Sequence, residues 1–127
     1  MVTISIEMQA YAEKRHELLI TLSELRELMS QAVGHRRSQM YVEPDHAEMI
    51  MLVEDWNNRE AVDRYVRSDD FQVLLGAIKL LTKSATMTFC YHVPINNRPR
   101  AGIMRETDHV ASNFFHQHHT NLEGDVS

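Results

Sequence analysis

Val2, Ile4, Ile6 and Met8 alternate with Thr3, Ser5, Glu7 and Gln9, which predicts a strand with one apolar face. Ala10–Ala12 is a connection, and from about Glu13 the period changes. Leu18, Leu22, Leu25, Met29 and Ala32 recur at three- and four-residue steps, with Leu28 widening the stripe. That spacing predicts an amphipathic helix of about five turns, with Gly34 as its stop. Arg36–Val42 should be a second strand. Its strict alternation would put His35, Arg37 and Gln39 on one face and Arg36, Ser38 and Met40 on the other. A strand this polar suits an edge or the wall of a polar cavity. Glu43-Pro44-Asp45-His46 is a turn, making a hairpin with a third strand over Glu48–Trp56.

The third strand organises the chain. Met49–Val53 has no polar member, the pattern of a strand covered on both faces. Glu54, Asp55 and the single tryptophan, Trp56, end it. Asn57 or Asn58 can then cap a helix over about Arg59–Arg67, and with Asn57 as cap Glu60 could complete a capping box. Ser68 caps a further helix, and Asp69 and Asp70 suit the positive end of its dipole. Phe71, Leu74, Leu75, Ile78 and Leu81 form its buried stripe. Thr82–Ser84 reads as a loop, and Ala85, Met87, Phe89, Tyr91 and Val93 as the inward face of a fourth strand.

The order β-α-β-β-α-β is the ferredoxin-like plan: an α+β fold with a four-stranded antiparallel sheet and both helices on one face. Nothing left in the chain covers the other face, so the doubly apolar third strand implies a second copy packed sheet to sheet as an isologous dimer.

Composition narrows the function. The chain has 127 residues, 43% hydrophobic and 24% charged, with net charge -5. This is one domain with a tail, and its acidity argues against a nucleic-acid surface. One cysteine, Cys90, rules out an internal disulfide and reads as a small buried hydrophobe. No apolar run reaches the roughly 20 residues of a membrane span. The start lacks the charge pattern of a signal peptide, so the expected location is the cytoplasm. There is no Gly-rich phosphate loop, G-x-S-x-G or H-E-x-x-H.

Gly34…Met40-Tyr41, then Leu52-Val53-Glu54-Asp55-Trp56, Glu60-Ala61 and Arg67-Ser68-Asp69-Asp70-Phe71…Leu74-Leu75 resemble the antibiotic biosynthesis monooxygenase family. In that family a leucine-valine-glutamate-x-tryptophan strand runs into a helix, and a serine-x-x-phenylalanine step opens the next. The likeness spans Val2 to about Val93. It implies a dimeric α+β barrel, and its members include oxygenases that use no metal, flavin or haem. These bind electron-rich aromatic substrates, such as quinols, and react them with O2 through the substrate anion. Three departures stand out. Leu52 and Val62 occupy positions where cofactor-free relatives can carry asparagine and tyrosine. Tyr65 and Leu75 replace the tryptophan and histidine of haem-degrading relatives. Val33-Gly34-His35-Arg36-Arg37 stands where proline-glycine-cysteine is frequent.

Candidate residues follow. His35 can act as a base near neutral pH, or be a surface strand histidine. Trp56 can stack on a flat substrate and donate from its indole N–H, or simply fix the corner. Tyr65 can orient a substrate hydroxyl, or be a helix-packing tyrosine. Met40 and Phe71 are further substrate-binding candidates beside Trp56 and Tyr65. Glu54 reads as a partnered structural carboxylate. Together these imply a homodimer acting on a small aromatic substrate and O2, with no cofactor, metal, nucleic acid or membrane. Residues 94–127 read as an accessory arm after a domain over 1–93. Pro94–Gly102 is its loop, and a short helix from Thr107 or Asp108 to Gln117 carries Val110, Phe114 and Phe115. His109, His116, His118 and His119 in this arm lack a carboxylate pair to define a metal site.

Overall fold

The computed structural model describes residues 1–93 and 102–106. Strand β1 (Val2–Ala10) leads through a 3₁₀ turn at Ala12–Lys14 into helix α1 (Arg15–Met29). The hairpin of β2 (His35–Glu43) and β3 (His46–Trp56) follows, then α2 (Arg59–Val66), α3 (Asp69–Leu81), β4 (Thr82–Val93) and β5 (Gly102–Glu106). The sheet order is β2-β3-β1-β4-β5, antiparallel throughout. The ferredoxin-like α+β plan is therefore present, with a fifth strand added at the β4 edge. Gly102 belongs to that strand and not to a loop. The expected arm helix and its histidines lie outside the described residues.

Every second residue of β1, from Val2 to Ala10, is buried beneath the helices, with Ile50, Leu52, Glu54 and Trp56 beside it from β3. Leu18, Leu22, Leu25 and Met29 of α1 and the five expected residues of α3 close the core from above. Leu28, expected to widen the α1 stripe, is 54% exposed. At 3.6 residues per turn it lies about 90° round from the stripe's centre, beyond the reach of the sheet. The Thr82–Ser84 loop is also absent: α3 passes directly into β4. Thr82 ends the helix by donating its hydroxyl to the Ile78 carbonyl at 2.7 Å, while Ala10 pairs with Thr82 and Gln9 with Ser84. The β-branched residue favours the strand, so no loop is needed.

The two helix caps are side-chain acceptors. Asn58, not Asn57, caps α2 by accepting from the Ala61 N–H at 2.9 Å, and no capping box forms with Glu60. Asn57 instead donates its backbone N–H to the Gly34 carbonyl at 2.7 Å. Ser68 caps α3 through the Phe71 N–H at 3.2 Å.

Alternation splits the apolar run of β3. Ile50 and Leu52 point to the helices, while Met49, Met51 and Val53 lie half-buried on the outer sheet face. That face also holds a polar tie across three strands. Thr3 donates to Asp55 Oδ1 at 2.7 Å and contacts His92 Nε2 at 3.0 Å. With the hydroxyl proton given to Asp55, His92 is the donor to Thr3. The trio clamps β3, β1 and β4 together.

Gly34 is the hinge between α1 and β2. Its φ of +90° is disfavoured for other L-residues, and an added Cβ would lie 2.4 Å from the Ala61 Cβ. Gly34→Ala should lose about 2–5 kcal/mol, the sum of left-handed strain and overpacking. Gly76, within α3, has open space around it, so Gly76→Ala should gain about 0.5–1 kcal/mol. Chemical denaturation of the two variants beside the parent measures both.

Candidate functional site

The corner where β2 begins and β3 ends assembles the candidate site. His35 pairs with Trp56, but the register then slips, so that Arg37 faces Asp55 and Ser38 faces Glu54. This bulge inserts one residue and cancels the strict alternation expected of β2. His35 and Ser38 consequently share the helix-facing side, where Glu54 lies. The placement overturns the reading of His35 as a surface residue: its side chain is 4% exposed, and that of Glu54 2%.

Glu54 is the one acidic side chain in the buried core of the described residues. His35 Nε2 lies 2.6 Å from its Oε2, and the Ser38 hydroxyl donates to its Oε1 at 2.9 Å. Arg26, from α1, donates Nε–H to the Ser38 hydroxyl oxygen at 2.7 Å and an Nη2 proton to the Ser38 carbonyl at 3.1 Å. Arginine can only donate, so the serine proton must point to Glu54. Burial raises the Glu54 carboxyl above its ordinary value of 4.5, while the His35 and Ser38 hydrogen bonds and the nearby charges of His35 and Arg26 pull it back. With Glu54 ionised, its Oε2 takes the hydrogen of His35 Nε2, and in the neutral tautomer that this bond selects the lone pair is on Nδ1.

An aromatic ladder extends from this pair. The His35 ring meets Trp56 edge-on, with centroids 5.0 Å apart; Trp56 stacks on Tyr65 at 4.6 Å; Phe71 meets Tyr65 edge-on at 5.0 Å. Trp56 is fully buried, yet its indole N–H has no acceptor among the described residues. A buried donor in that state costs about 1–3 kcal/mol and invites an acceptor from outside the chain. Tyr65 differs. Its hydroxyl donates to the Met29 sulfur at 2.7 Å, and burial, aided by the charges of Glu54 and Asp70, pushes its ionisation far up. It remains a neutral phenol whose hydroxyl is already engaged, so what it offers a ligand is a stacking face.

Two clefts flank this corner. One, of about 230 Å³, has Trp56, Tyr65, Met29, Ala32 and Ala61 in its wall and Arg64 and Asp70 at its rim. It is the mainly apolar cavity expected near Trp56 and Tyr65. The other, of about 450 Å³, is polar and runs between α1 and the start of β2, with His35 in its wall. Neither Met40 nor Phe71 lines either cleft. Met40 packs partly buried against the core, and Phe71, with no exposed surface, braces Tyr65 from behind. Sequence reasoning missed Arg26 and Ser38. Their only signal was their polarity: nothing in the spacing of either residue shows that a bulge and a helix bring both to Glu54. No group of three metal-ligating side chains occurs among the described residues, and no described helix is long and apolar enough to cross a membrane.

The buried pair sets two expectations. A carboxyl raised on folding contributes stability below its unfolded value of 4.5 and loses it as pH rises through the folded value. The stability of the parent relative to Glu54→Gln should therefore decline as pH is raised above 4.5 in denaturation series. His35→Leu, which strips Glu54 of its closest partner, should cost about 3–5 kcal/mol near neutral pH.

The model of the family described as antibiotic biosynthesis monooxygenase matches residues 1–75. Among solved structures, the chain is similar to an antibiotic biosynthesis monooxygenase at 20% identity and TM-score 0.66, covering 74% of this chain and 100% of that one. A putative antibiotic biosynthesis monooxygenase from Deinococcus radiodurans aligns at 18% identity and TM-score 0.67, over 82% and 99% of the two chains. A conserved protein of unknown function from Bacteroides thetaiotaomicron, described as a possible oxidoreductase, aligns at 15% identity and TM-score 0.65, over 69% and 93%. These structures share the fold at low identity. No curated protein matches the chain. With the family's match covering more than half of its length and the Glu54–Trp56 corner inside the matched span, the chain belongs to the antibiotic biosynthesis monooxygenase family.

Proposed function

We propose that this protein is a cofactor-independent monooxygenase that acts with O2 on a small quinol-like phenol. The observation that carries the reading is the buried His35–Glu54 pair, held edge-on to a tryptophan whose indole N–H has no acceptor among the described residues. In this scheme the ring lies against the Trp56–Tyr65 wall, and its phenolic proton passes through one water to Nδ1 of His35, which borders the neighbouring cleft. Glu54 stabilises the imidazolium that forms, and the indole N–H supports the substrate oxygen as it becomes anionic. The anion passes one electron to O2, and the two radicals join at a ring carbon. Loss of water then leaves a hydroxyquinone, so that hydroquinone plus O2 gives hydroxyquinone plus water. A cleft of about 230 Å³ falls below the roughly 300–1,000 Å³ of typical ligand pockets, which favours a single-ring substrate over a polycyclic one.

A second reading is a non-catalytic ligand-binding barrel of the same fold. Leu52 and Val62 at the two departed positions, and the engagement of the Tyr65 hydroxyl by Met29, support it. Oxygen uptake on chelator-treated protein with a panel of substituted quinols separates the two. The monooxygenase reading expects turnover above autoxidation, lowered about 10²–10⁴-fold by His35→Ala. Binding of quinols without any uptake would support the barrel.

We also propose that two copies pack through the outer sheet face. The support is the half-buried Met49, Met51 and Val53 and the adjoining hollow of about 240 Å³ at Glu7 and Tyr41. Leu52 faces the helices and is fully buried, so Met51 is the residue to change. Met51→Asp should yield folded monomers in light scattering, weakening association by about 3 kcal/mol or more, as expected for a buried unpaired charge. A dimer of unchanged affinity would put the interface elsewhere.

A further inference from the structure

The polar cleft on the α1 side of His35 has a charge pattern that the monooxygenase reading does not use. Arg26, Arg36 and Arg37 line it, and Glu27 is its only carboxylate among the described residues, in a chain whose net charge is -5. Among the described residues no carboxylate lies within 4 Å of any of the three guanidinium groups. Arg26 is half-buried and clamped by its two bonds to Ser38. Of its five N–H groups, the remaining three have no acceptor in the described chain. Arg36 and Arg37 sit on the bulge itself, exposed, with no acceptor among the described residues. Self-repulsion among three clustered arginines is costly unless something negative offsets it, and the planar guanidinium matches an oxyanion in a two-bond fork. The Ser23 and Ser30 side chains add hydroxyl donors at the cleft wall.

We infer that this cleft is a binding site for the oxyanion group, carboxylate or phosphate, of a small molecule. Arg26 is the fixed anchor, and Arg36 and Arg37 close over the charge from the strand side. The anion would sit beside His35, so its arrival would be felt at the imidazole. The inference rests on the cleft alone and survives if the monooxygenase reading fails, because binding is measured without turnover.

The test is an NMR titration of the full chain with benzoate, inorganic phosphate and, as the uncharged counterpart, benzamide. Saturable shifts confined to Arg26 and His35–Ser38 are expected with benzoate, phosphate or both. Benzoate alone would identify the source as a carboxylate, and phosphate alone as a phosphoryl group. Benzamide should leave these signals in place. The double variant Arg36→Gln, Arg37→Gln changes only exposed side chains and should weaken binding at least tenfold. Arg26→Lys, which keeps the charge but loses the fork, should also weaken it. The inference is overturned if neither anion gives saturable shifts, if benzamide binds as well as benzoate, or if the double variant binds with unchanged affinity while its spectrum stays folded.

Discussion

A carboxylate placed on the core face of a central strand is the constraint around which this corner of the molecule is built. Glu54 lies between Leu52 and Trp56 on the side of β3 that the helices cover, and its direct neighbour on β1 is Ile4. An isolated charge there would be prohibitive. The surrounding structure answers with donors from two other elements: His35 and Ser38 from β2, and Arg26 from α1 acting through Ser38. The same contacts that satisfy Glu54 therefore tie α1 and the edge strand to the sheet. They also hold the imidazole at a defined angle to Trp56.

That arrangement depends on two backbone irregularities. Gly34 turns the chain with positive φ, seats it against Ala61 of α2 and offers its carbonyl to Asn57. The bulge immediately after then rotates Ser38 to the side occupied by His35. Without the bulge, His35 and Ser38 would lie on opposite faces and Glu54 would lose one of its two partners. Bulges commonly re-aim side chains beside functional sites, and here the re-aimed residues serve a buried acid. The bulge also presents Arg36 and Arg37 to the cleft along α1.

The ladder from His35 through Trp56 and Tyr65 to Phe71 joins this polar network to the hydrophobic core. Its members are not equivalent. Phe71 and the Tyr65 hydroxyl are absorbed in packing, whereas the Trp56 N–H has no acceptor among the described residues. The corner thus combines a rigid support with an indole donor and an imidazole, a small set of chemical capacities on a widely shared fold.

The sequence by itself determined the order of the first four strands and the helices, the α+β class, the faces of β1 and α3, and the Ser68 cap, because these follow from local periodicity and short-range hydrogen bonds; which side each apolar residue of β3 faces came from the sheet pairing. It also exposed Glu54 as a charge inside an apolar strand, and the family motif around it. It misjudged the outward turn of Leu28 and the start of β4, and it left β5 unassigned, since strand pairing is a contact between distant segments. Above all, the partners of Glu54 were decided by tertiary structure. Arg26 is 28 residues away in sequence and Ser38 is 16. Only a helix crossing the sheet and a one-residue bulge bring them to the same carboxylate, and a bulge changes facing without changing composition.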